Sequence, residues 1–169
     1  MPDIVIRRAG SDAHIHECAT IMASSEPWIT LRRSYDEIRA RLSRSDREVY
    51  AAFSGDMLLG FVAIVMTGAF VGYVQTIAVR ADVRGGGIGS ALLAFAEERI
   101  WRESPNVFIC VSSFNPRARA LYERLGYGVV GELPDYIVRG HSEILLRKTI
   151  GPISEHNEDR VASHARAPS

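Results

Sequence analysis

A glycine-rich loop at residues 84–89, with the sequence RGGGIG, has the clearest chemical potential in this chain. It follows a strand-like run and leads into apolar residues at helical spacing. Glycines let the backbone approach a ligand closely, and the first helical turn offers free N–H groups and the positive end of the helix dipole. That combination binds anions and suits a pyrophosphate. A tight turn needed only for packing is the other interpretation, and the loop alone does not decide between them.

Two familiar nucleotide sites fit the surrounding sequence poorly. A Walker A loop ends in Gly-Lys-Ser or Gly-Lys-Thr, and this loop does not. A dinucleotide fold opens with its glycine loop and has an acidic residue on the next strand for a ribose hydroxyl. Here the next predicted strand, residues 106–113, contains no Asp or Glu. The loop therefore predicts a phosphate-bearing ligand of another kind.

The pattern before the loop predicts two helices and four strands. Residues 4–8 form an opening strand, and apolar residues at i, i+3, i+4 and i+7 after Ser11 predict a helix. Ser34 and Glu37 have the spacing of a capping box, which predicts a second, short helix. Turn signals between three β-rich runs predict an antiparallel meander. These runs are residues 47–53, 58–66 and 73–79.

After the loop, strands and helices alternate, so the fold class is α/β with a mixed sheet of the α+β kind. Residues 106–113 are predicted as an apolar strand. Pro116 suits the first position of a helix whose apolar repeat ends at Gly126. Two further strands are predicted at residues 128–133 and 142–148.

The composition favours one domain without a nucleic-acid or membrane partner. The 169 residues suit a domain at 1–150 followed by a polar tail at 151–169. Twenty basic residues balance twenty acidic ones, which disfavours nucleic-acid binding. Because no long apolar run and no signal-peptide pattern occurs, we expect a cytoplasmic protein. A monomer or a homodimer is expected. Cys18 and Cys110 are expected as buried thiols.

Two segments resemble the coenzyme A motifs of the GNAT superfamily of N-acetyltransferases. Residues 84–89 resemble the Gln/Arg-x-x-Gly-x-Gly/Ala signature, and residues 115–127, NPRARALYERLGY, resemble the motif in which Asn, Ala and Tyr precede Leu-Gly-Tyr/Phe. The resemblance covers about residues 3–149 and implies the GNAT-type fold, with an antiparallel N-terminal meander, a β-loop-α coenzyme A unit and a C-terminal strand pair. Ala81 stands where the family often has proline, and Gly86 where it often has Lys, Arg or Gln.

The resemblance implies that acetyl-CoA is the cosubstrate and that its acetyl group passes directly to a primary amine through a tetrahedral intermediate. This reaction needs a neutral amine, an oxyanion site and an acid for the departing thiolate. Backbone groups at the end of the last meander strand are expected to pair with the pantetheine arm, and one N–H to polarise the thioester. The predicted cofactor-binding residues are Ile77, Ala78, Val79, Arg84, Gly85, Gly86, Gly87, Ile88, Gly89, Ser90, Asn115, Arg119 and Tyr122.

Tyr122 is the general acid that the resemblance implies. A phenol with a pKa of about 10 is protonated at neutral pH, so donation to a thiolate whose conjugate acid has a pKa of about 8.5 is the expected direction. A core aromatic on the apolar helix face is the other interpretation. Asn115 is expected to cap its helix and to contact pantetheine. Arg117 and Arg119 are expected on a solvated face, with contact of one to the ribose phosphate as the alternative.

The general base is the least determined part of the site. Glu26, which follows the first helix and lies beside Trp28, is the predicted base. Its rivals are Tyr73, Gln75, Asp135, Tyr136 and His141. No metal is expected, because on a helix only His14 and Cys18 share a face, and two ligands are too few.

An aromatic rim with little net charge is predicted on the acceptor side. Its residues are Trp28, Tyr73 and Tyr136, and Gln75 is a further predicted acceptor-binding residue. A protein or peptide amine is the favoured acceptor, because the loop with Tyr136 resembles a feature of N-terminal acetyltransferases in the family. A small-molecule amine acetyltransferase and a non-catalytic acyl-CoA-binding module are the alternatives.

Overall fold

The structure, a computed structural model, describes residues 4–157. Four α-helices and seven β-strands occupy this range, in the order that the sequence predicts. The first elements are β1 (Ile4–Arg8), α1 (Asp12–Ala23), α2 (Tyr35–Leu42), β2 (Arg47–Ser54), β3 (Met57–Val65) and β4 (Tyr73–Val79). A 3₁₀ turn (Ala81–Val83) leads to α3 (Ile88–Trp101), β5 (Asn106–Ser112), α4 (Pro116–Arg124), β6 (Gly128–Leu133) and β7 (Glu143–Thr149).

Local signals explain where the helices begin. The Ser11 side chain accepts a hydrogen bond at the start of α1, and Ser34 and Glu37 form a complete capping box at the start of α2. Pro116 occupies the first turn of α4, where its missing N–H costs nothing. Several strand ends differ from the predicted ones by one residue, because pairing and not propensity sets them.

The seven described strands belong to one mixed sheet in the order β1-β2-β3-β4-β5-β7-β6. Strands β1 to β4 pair antiparallel, which confirms the predicted meander and extends it by β1. β4 and β5 are parallel, and β7 lies antiparallel between β5 and β6. The predicted mixed α/β class is therefore confirmed.

Helices cover both faces of the sheet and divide the core in two. α3 packs on one face, where Leu92, Ile100 and Ile109 belong to the same buried cluster. α1 and α2 cover the other face, where Ile38 and Phe61 are buried. Each large apolar side chain contributes roughly 1.5–3 kcal/mol on burial. The two layers therefore hold the helices firmly against the sheet.

The sheet divides in its middle, between β4 and β5. These strands pair at only two of the described positions, the second being Val74 with Ile109. A bulge against β3 follows, with Gln75 as the extra residue. Beyond the bulge the strands diverge, so the segment Ile77–Val79 keeps β3 on one side and has no described strand on the other.

A buried ion pair joins α3 to the last strand. Glu97 is 6% exposed, and its Oε2 lies 2.7 Å from Nζ of Lys148 on β7. Its Oε1 accepts a hydrogen bond from the Tyr127 hydroxyl at 2.9 Å. Both carboxylate oxygens are thus satisfied, as a buried charge requires. The pair ties the C-terminal strands to the helix that follows the glycine loop.

None of the described helices is long and apolar enough to cross a membrane. After β7 the chain forms one helical turn at residues 153–157. The rest of the predicted tail, residues 158–169, lies outside the described residues. The division into 1–150 and 151–169 therefore stays a prediction.

We predict that Lys148→Met lowers the free energy of unfolding by about 3 kcal/mol, because it leaves the Glu97 carboxylate buried without a cation. Urea unfolding followed by circular dichroism measures this loss. The double variant Lys148→Met/Glu97→Gln is the control and should recover most of it. A single variant as stable as the native chain would contradict the prediction.

Candidate active site

A cleft of about 1140 Å³ opens where β4 and β5 diverge. We call the part bounded by residues 83–90 and α4 the cofactor half. The part bounded by residues 26–41, β5 and residues 136–143 is the acceptor half. Small-molecule sites typically occupy about 300–1,000 Å³, so the cleft is large enough for an extended ligand.

The glycine loop leads into the start of α3 at the cofactor half of the cleft. Gly85 and Gly87 have φ angles of 86° and 82°, where any other residue is strained. A Cβ at either position would meet nothing within 4 Å, so packing does not explain them. Gly87 caps α3 without a side chain, which leaves the N–H groups of the first turn for a ligand. Of the predicted loop residues, Arg84, Gly85, Gly87, Ile88, Gly89 and Ser90 line the cleft, and Gly86 does not.

The end of β4 is the second element of the cofactor half. Ile77, Ala78 and Val79 line the cleft along the edge that β5 leaves uncovered. Nε of Arg84 donates to the Val79 carbonyl at 3.0 Å, so this arginine holds the strand end beside the loop. Its other guanidinium N–H groups are left for an anion.

α4 brings Asn115 and Tyr122 to the cleft. Oδ1 of Asn115 accepts a hydrogen bond from the Ala118 N–H at 3.2 Å, which confirms the expected N-cap. Tyr122 is 5% exposed and belongs to the core on the α3 face, yet it also lines the cleft. Its hydroxyl has no hydrogen-bond partner within residues 4–157. Burial raises the pKa of Tyr122 above its ordinary value of 10, so the phenol stays protonated.

The predicted phosphate contact of Arg119 has no support in this geometry. Nε of Arg119 lies 2.9 Å from Oε1 of Glu123, one turn along α4, and the side chain does not line the cleft. Arg117 and Arg124 do line it. Residues two positions apart on a helix lie on different faces, which explains why Arg117 and not Arg119 reaches the cofactor half.

The four predicted acceptor-binding residues lie in the acceptor half. They are Trp28, Tyr73, Gln75 and Tyr136. Gln75 is fixed in place, because Nε of Arg47 donates to its Oε1 at 2.8 Å. Tyr136 is 64% exposed and lies at the mouth of the cleft.

Tyr73 lies against the thiol of Cys110 deep in the acceptor half. Burial raises the pKa of Tyr73 above its ordinary value of 10, and its hydrogen bond to Cys110 acts in the same direction. Cys110 is only partly buried and lines the cleft, so the expectation of two buried thiols is wrong for this residue. Cys18 is buried as expected.

Among the predicted carboxylate and imidazole bases, Glu26 alone lines the cleft. It is exposed, and its Oε2 accepts a hydrogen bond from the Thr30 N–H at 3.2 Å. Asp135 accepts a hydrogen bond from the Gly140 N–H, and His141 packs against Phe114; neither reaches the cleft. The role of Glu26 stays a prediction. Within residues 4–157, no group of three or more His, Cys, Asp or Glu side chains is placed to hold a metal ion.

Sequence reasoning missed four charged residues of the acceptor half, namely Arg33, Glu37, Arg41 and Glu143. Glu143, the first residue of β7, is 5% exposed and lines the cleft. Oγ of Ser112 donates to its Oε1 at 2.6 Å, and burial raises the pKa of Glu143 above its ordinary value of 4.5. Arg33 and Arg41 also line the cleft and form no ion pair with the described residues. An acidic residue in an apolar strand was the one signal that pointed to Glu143.

The comparison with known families decides the assignment. The model of the acetyltransferase (GNAT) family matches residues 15–127, a range that contains the glycine loop and the second motif. The chain belongs to the GNAT family. The family predicted from the two motifs is therefore confirmed, and the protein is a GNAT N-acetyltransferase.

Known GNAT proteins resemble the chain in sequence and in fold. Blasticidin-S acetyltransferase of Streptomyces morookaense is 32% identical over 105 residues, which are 60% of this chain and 76% of that protein. An aminoglycoside 6′-N-acetyltransferase in complex with coenzyme A is 19% identical, with a TM-score of 0.68 over 88% of this chain and 98% of that one. The ribosomal-protein-S18-alanine N-acetyltransferase of Escherichia coli is 19% identical, with a TM-score of 0.70 over 89% and 96%. The GNAT-type fold is thereby confirmed.

We predict that Gly87→Glu weakens acetyl-CoA binding to this GNAT enzyme by about 100-fold or more, because it adds a bulky anion beside the α3 N-terminus. Calorimetric titration measures the dissociation constant.

Gly55→Glu is the matched control. Gly55 has a φ of 58° and open space around it, so this variant carries similar backbone strain in the turn between β2 and β3. Equal affinities of the two variants would contradict the prediction.

Proposed function

We propose that this GNAT enzyme transfers the acetyl group of acetyl-CoA directly to a primary amine in the cleft between β4 and β5. One observation carries the proposal: the α3 N-terminus, the uncovered edge of β4 and the Tyr122 side chain line the same cleft. Each suits one part of the reaction, namely the anionic pyrophosphate, the extended amides of pantetheine and the departing sulfur.

The cofactor half would act mainly through backbone groups. N–H groups of the first turn of α3 and the free guanidinium N–H groups of Arg84 suit the pyrophosphate. The segment Ile77–Val79 would pair with the pantetheine arm as a strand does. One of its N–H groups would donate to the thioester oxygen and stabilise the negative charge of the tetrahedral intermediate.

We assign to Tyr122 the role of donor to the departing sulfur. Its ordinary pKa of about 10 already exceeds the value of about 8.5 for the conjugate acid of a thiolate, and burial raises the pKa of Tyr122 further. Complete proton transfer from the phenol to a free thiolate is therefore uphill. Tyr122 would instead donate a hydrogen bond to the sulfur while the C–S bond breaks, and so lower the energy of the developing thiolate.

For the acceptor we favour a protein or peptide amine. Arg33 and Arg41 line the acceptor half without an ion pair to any described residue, in a lining that also holds the carboxylates of Glu26, Glu37 and Glu143. Guanidinium groups suit the carbonyl and carboxylate oxygens of a peptide. The exposed ring of Tyr136 offers a flat surface at the mouth of the cleft.

A small-molecule amine is the second candidate acceptor. It is favoured by the 32% identity to a relative whose name gives blasticidin S as its acceptor. The two candidates share the cofactor half and differ only in what the acceptor half binds.

An acceptor panel separates the two candidates. We expect faster release of coenzyme A thiol with a peptide that begins in alanine than with blasticidin S or with the aminoglycoside kanamycin. Acetylation of blasticidin S alone would overturn the peptide proposal and leave the small-molecule proposal standing.

We predict that Tyr122→Phe lowers kcat by about 100-fold or more, because the developing thiolate loses its donor. The melting temperature should stay the same or rise, since no hydrogen bond to a described residue is lost. Tyr127→Phe is the control. The Tyr127 hydroxyl bonds to Glu97, so that variant should lose stability and keep its kcat. Native turnover in Tyr122→Phe would contradict the role.

A further inference from the structure

Two carboxylates are buried within residues 4–157, and only one of them has a cation. Glu97 pairs with Lys148 and accepts a second hydrogen bond from Tyr127. Glu143 accepts one hydrogen bond, from Ser112, and no described Lys or Arg pairs with it. A buried carboxylate without a cation destabilises a fold, so its presence in a cleft points to a function.

Glu143 lies where the acceptor half meets the divided sheet. It pairs with Ser112 of β5 in the sheet, and both residues line the cleft. Its Oε2 has no hydrogen-bond partner among the described residues, yet it is not among the buried atoms that are sealed from solvent. One oxygen of this carboxylate is therefore fixed by a neighbour, and the other is open to a ligand.

The titratable groups around Glu143 are a phenol and a thiol whose raised pKa values keep them protonated at neutral pH. Burial is the largest cause of the raised pKa values of Tyr73 on β4 and Cys110 on β5, and the charge of Glu143 raises both further. Tyr136, from the loop before β7, is the remaining titratable neighbour of Tyr73 within the acceptor half. Burial also raises the pKa of Glu143, and its bond from Ser112 opposes that shift. Glu143 is thus the group of this cluster that can take up a proton.

We propose that Glu143 is the general base that removes a proton from the ammonium group of the acceptor. The inference rests on the proposed function and assigns to Glu143 the role predicted for Glu26. Glu26 is exposed, and one of its carboxylate oxygens already accepts a hydrogen bond from the Thr30 N–H. The Glu143 carboxylate is held by Ser112 and shielded from bulk water, which strengthens it as a base.

The proton balance is complete without another reactant. The ammonium gives its first proton to Glu143, and the nitrogen lone pair then forms the C–N bond at the thioester carbon. The C–S bond breaks with its electron pair on sulfur. The nitrogen releases its second proton to solvent, and the sulfur takes up one proton from solvent. Glu143 then returns its proton to solvent. The products are an acetamide, coenzyme A thiol and one proton.

The first arm of the test needs no acceptor. Because the folded pKa of Glu143 lies above the unfolded value of 4.5, its stabilising contribution is complete below the unfolded pKa and is lost as the pH rises through the folded pKa. Glu143→Gln keeps an acceptor for Ser112 and does not ionise. Its melting temperature should therefore rise relative to that of the native chain as the pH increases above the unfolded pKa of 4.5.

The second arm measures acetyl transfer to the amine of the panel that the native chain acetylates fastest. Glu143→Gln should lower kcat/KM at pH 7 by about 100-fold, with acetyl-CoA affinity within about twofold of native. This deficit should shrink as the pH approaches the pKa of the acceptor, because solvent then supplies neutral amine. Glu98→Gln, the same change on the exposed side of α3, is the matched control and should leave both constants unchanged.

Three results would overturn the inference. The first is a deficit in Glu143→Gln that is equal at every pH, as a structural role predicts. The second is a pH-dependent deficit in Glu26→Gln beside normal turnover in Glu143→Gln. The third is a melting-temperature difference that does not change with pH. A native chain that binds acetyl-CoA and acetylates no amine of the panel would contradict the proposed function instead, and the melting temperatures would still decide the ionisation of Glu143.

Discussion

The early end of the pairing between β4 and β5 is the constraint on which the site depends. A parallel pair that stops after two positions leaves one side of the segment Ile77–Val79 uncovered. The backbone N–H and C=O groups that face away from β3 have no strand partner there. Such groups need a hydrogen-bonding partner wherever they are shielded from water. An extended ligand with amides can supply it in the manner of a strand. The affinity that we propose for pantetheine thus follows from a sheet that does not complete its own hydrogen bonds.

The surrounding elements keep this gap open and arrange charge around it. Arg84 holds the end of β4, so the strand delivers its edge beside the N-terminus of α3. On the far side, two of the ionic residues of β7 have opposite roles. Lys148 neutralises Glu97 and fastens the strand to α3, whereas Glu143 is left without a cation in the acceptor half. One strand therefore supplies both an ion pair for stability and a carboxylate whose burial reduces stability.

Sequence patterns predicted what depends on neighbours along the chain. The capping box of Ser34 and Glu37, the glycine loop and the helix that carries Tyr122 are all local signals. The sequence did not identify Glu143 as a site residue, because its burial depends on the position of β7 between β5 and β6. Nothing in residues 142–148 specifies that strand order. The predicted cofactor contact of Arg119 has no support in the cleft lining for another reason. Arg117 and Arg119 differ by about 200° around the helix axis, and only packing shows which of them faces the cleft.

β7 follows all the other described strands in synthesis, yet it lies between β5 and β6 in the sheet. The strands β1 to β4 pair in chain order, so they can form their part of the sheet as soon as residue 79 has left the ribosome. β5 and β6 cannot pair in the same way, because β7 lies between them in the sheet and is synthesised after both. The acceptor half is therefore assembled after the uncovered edge of β4, and until then β5 presents an unpaired edge to other chains.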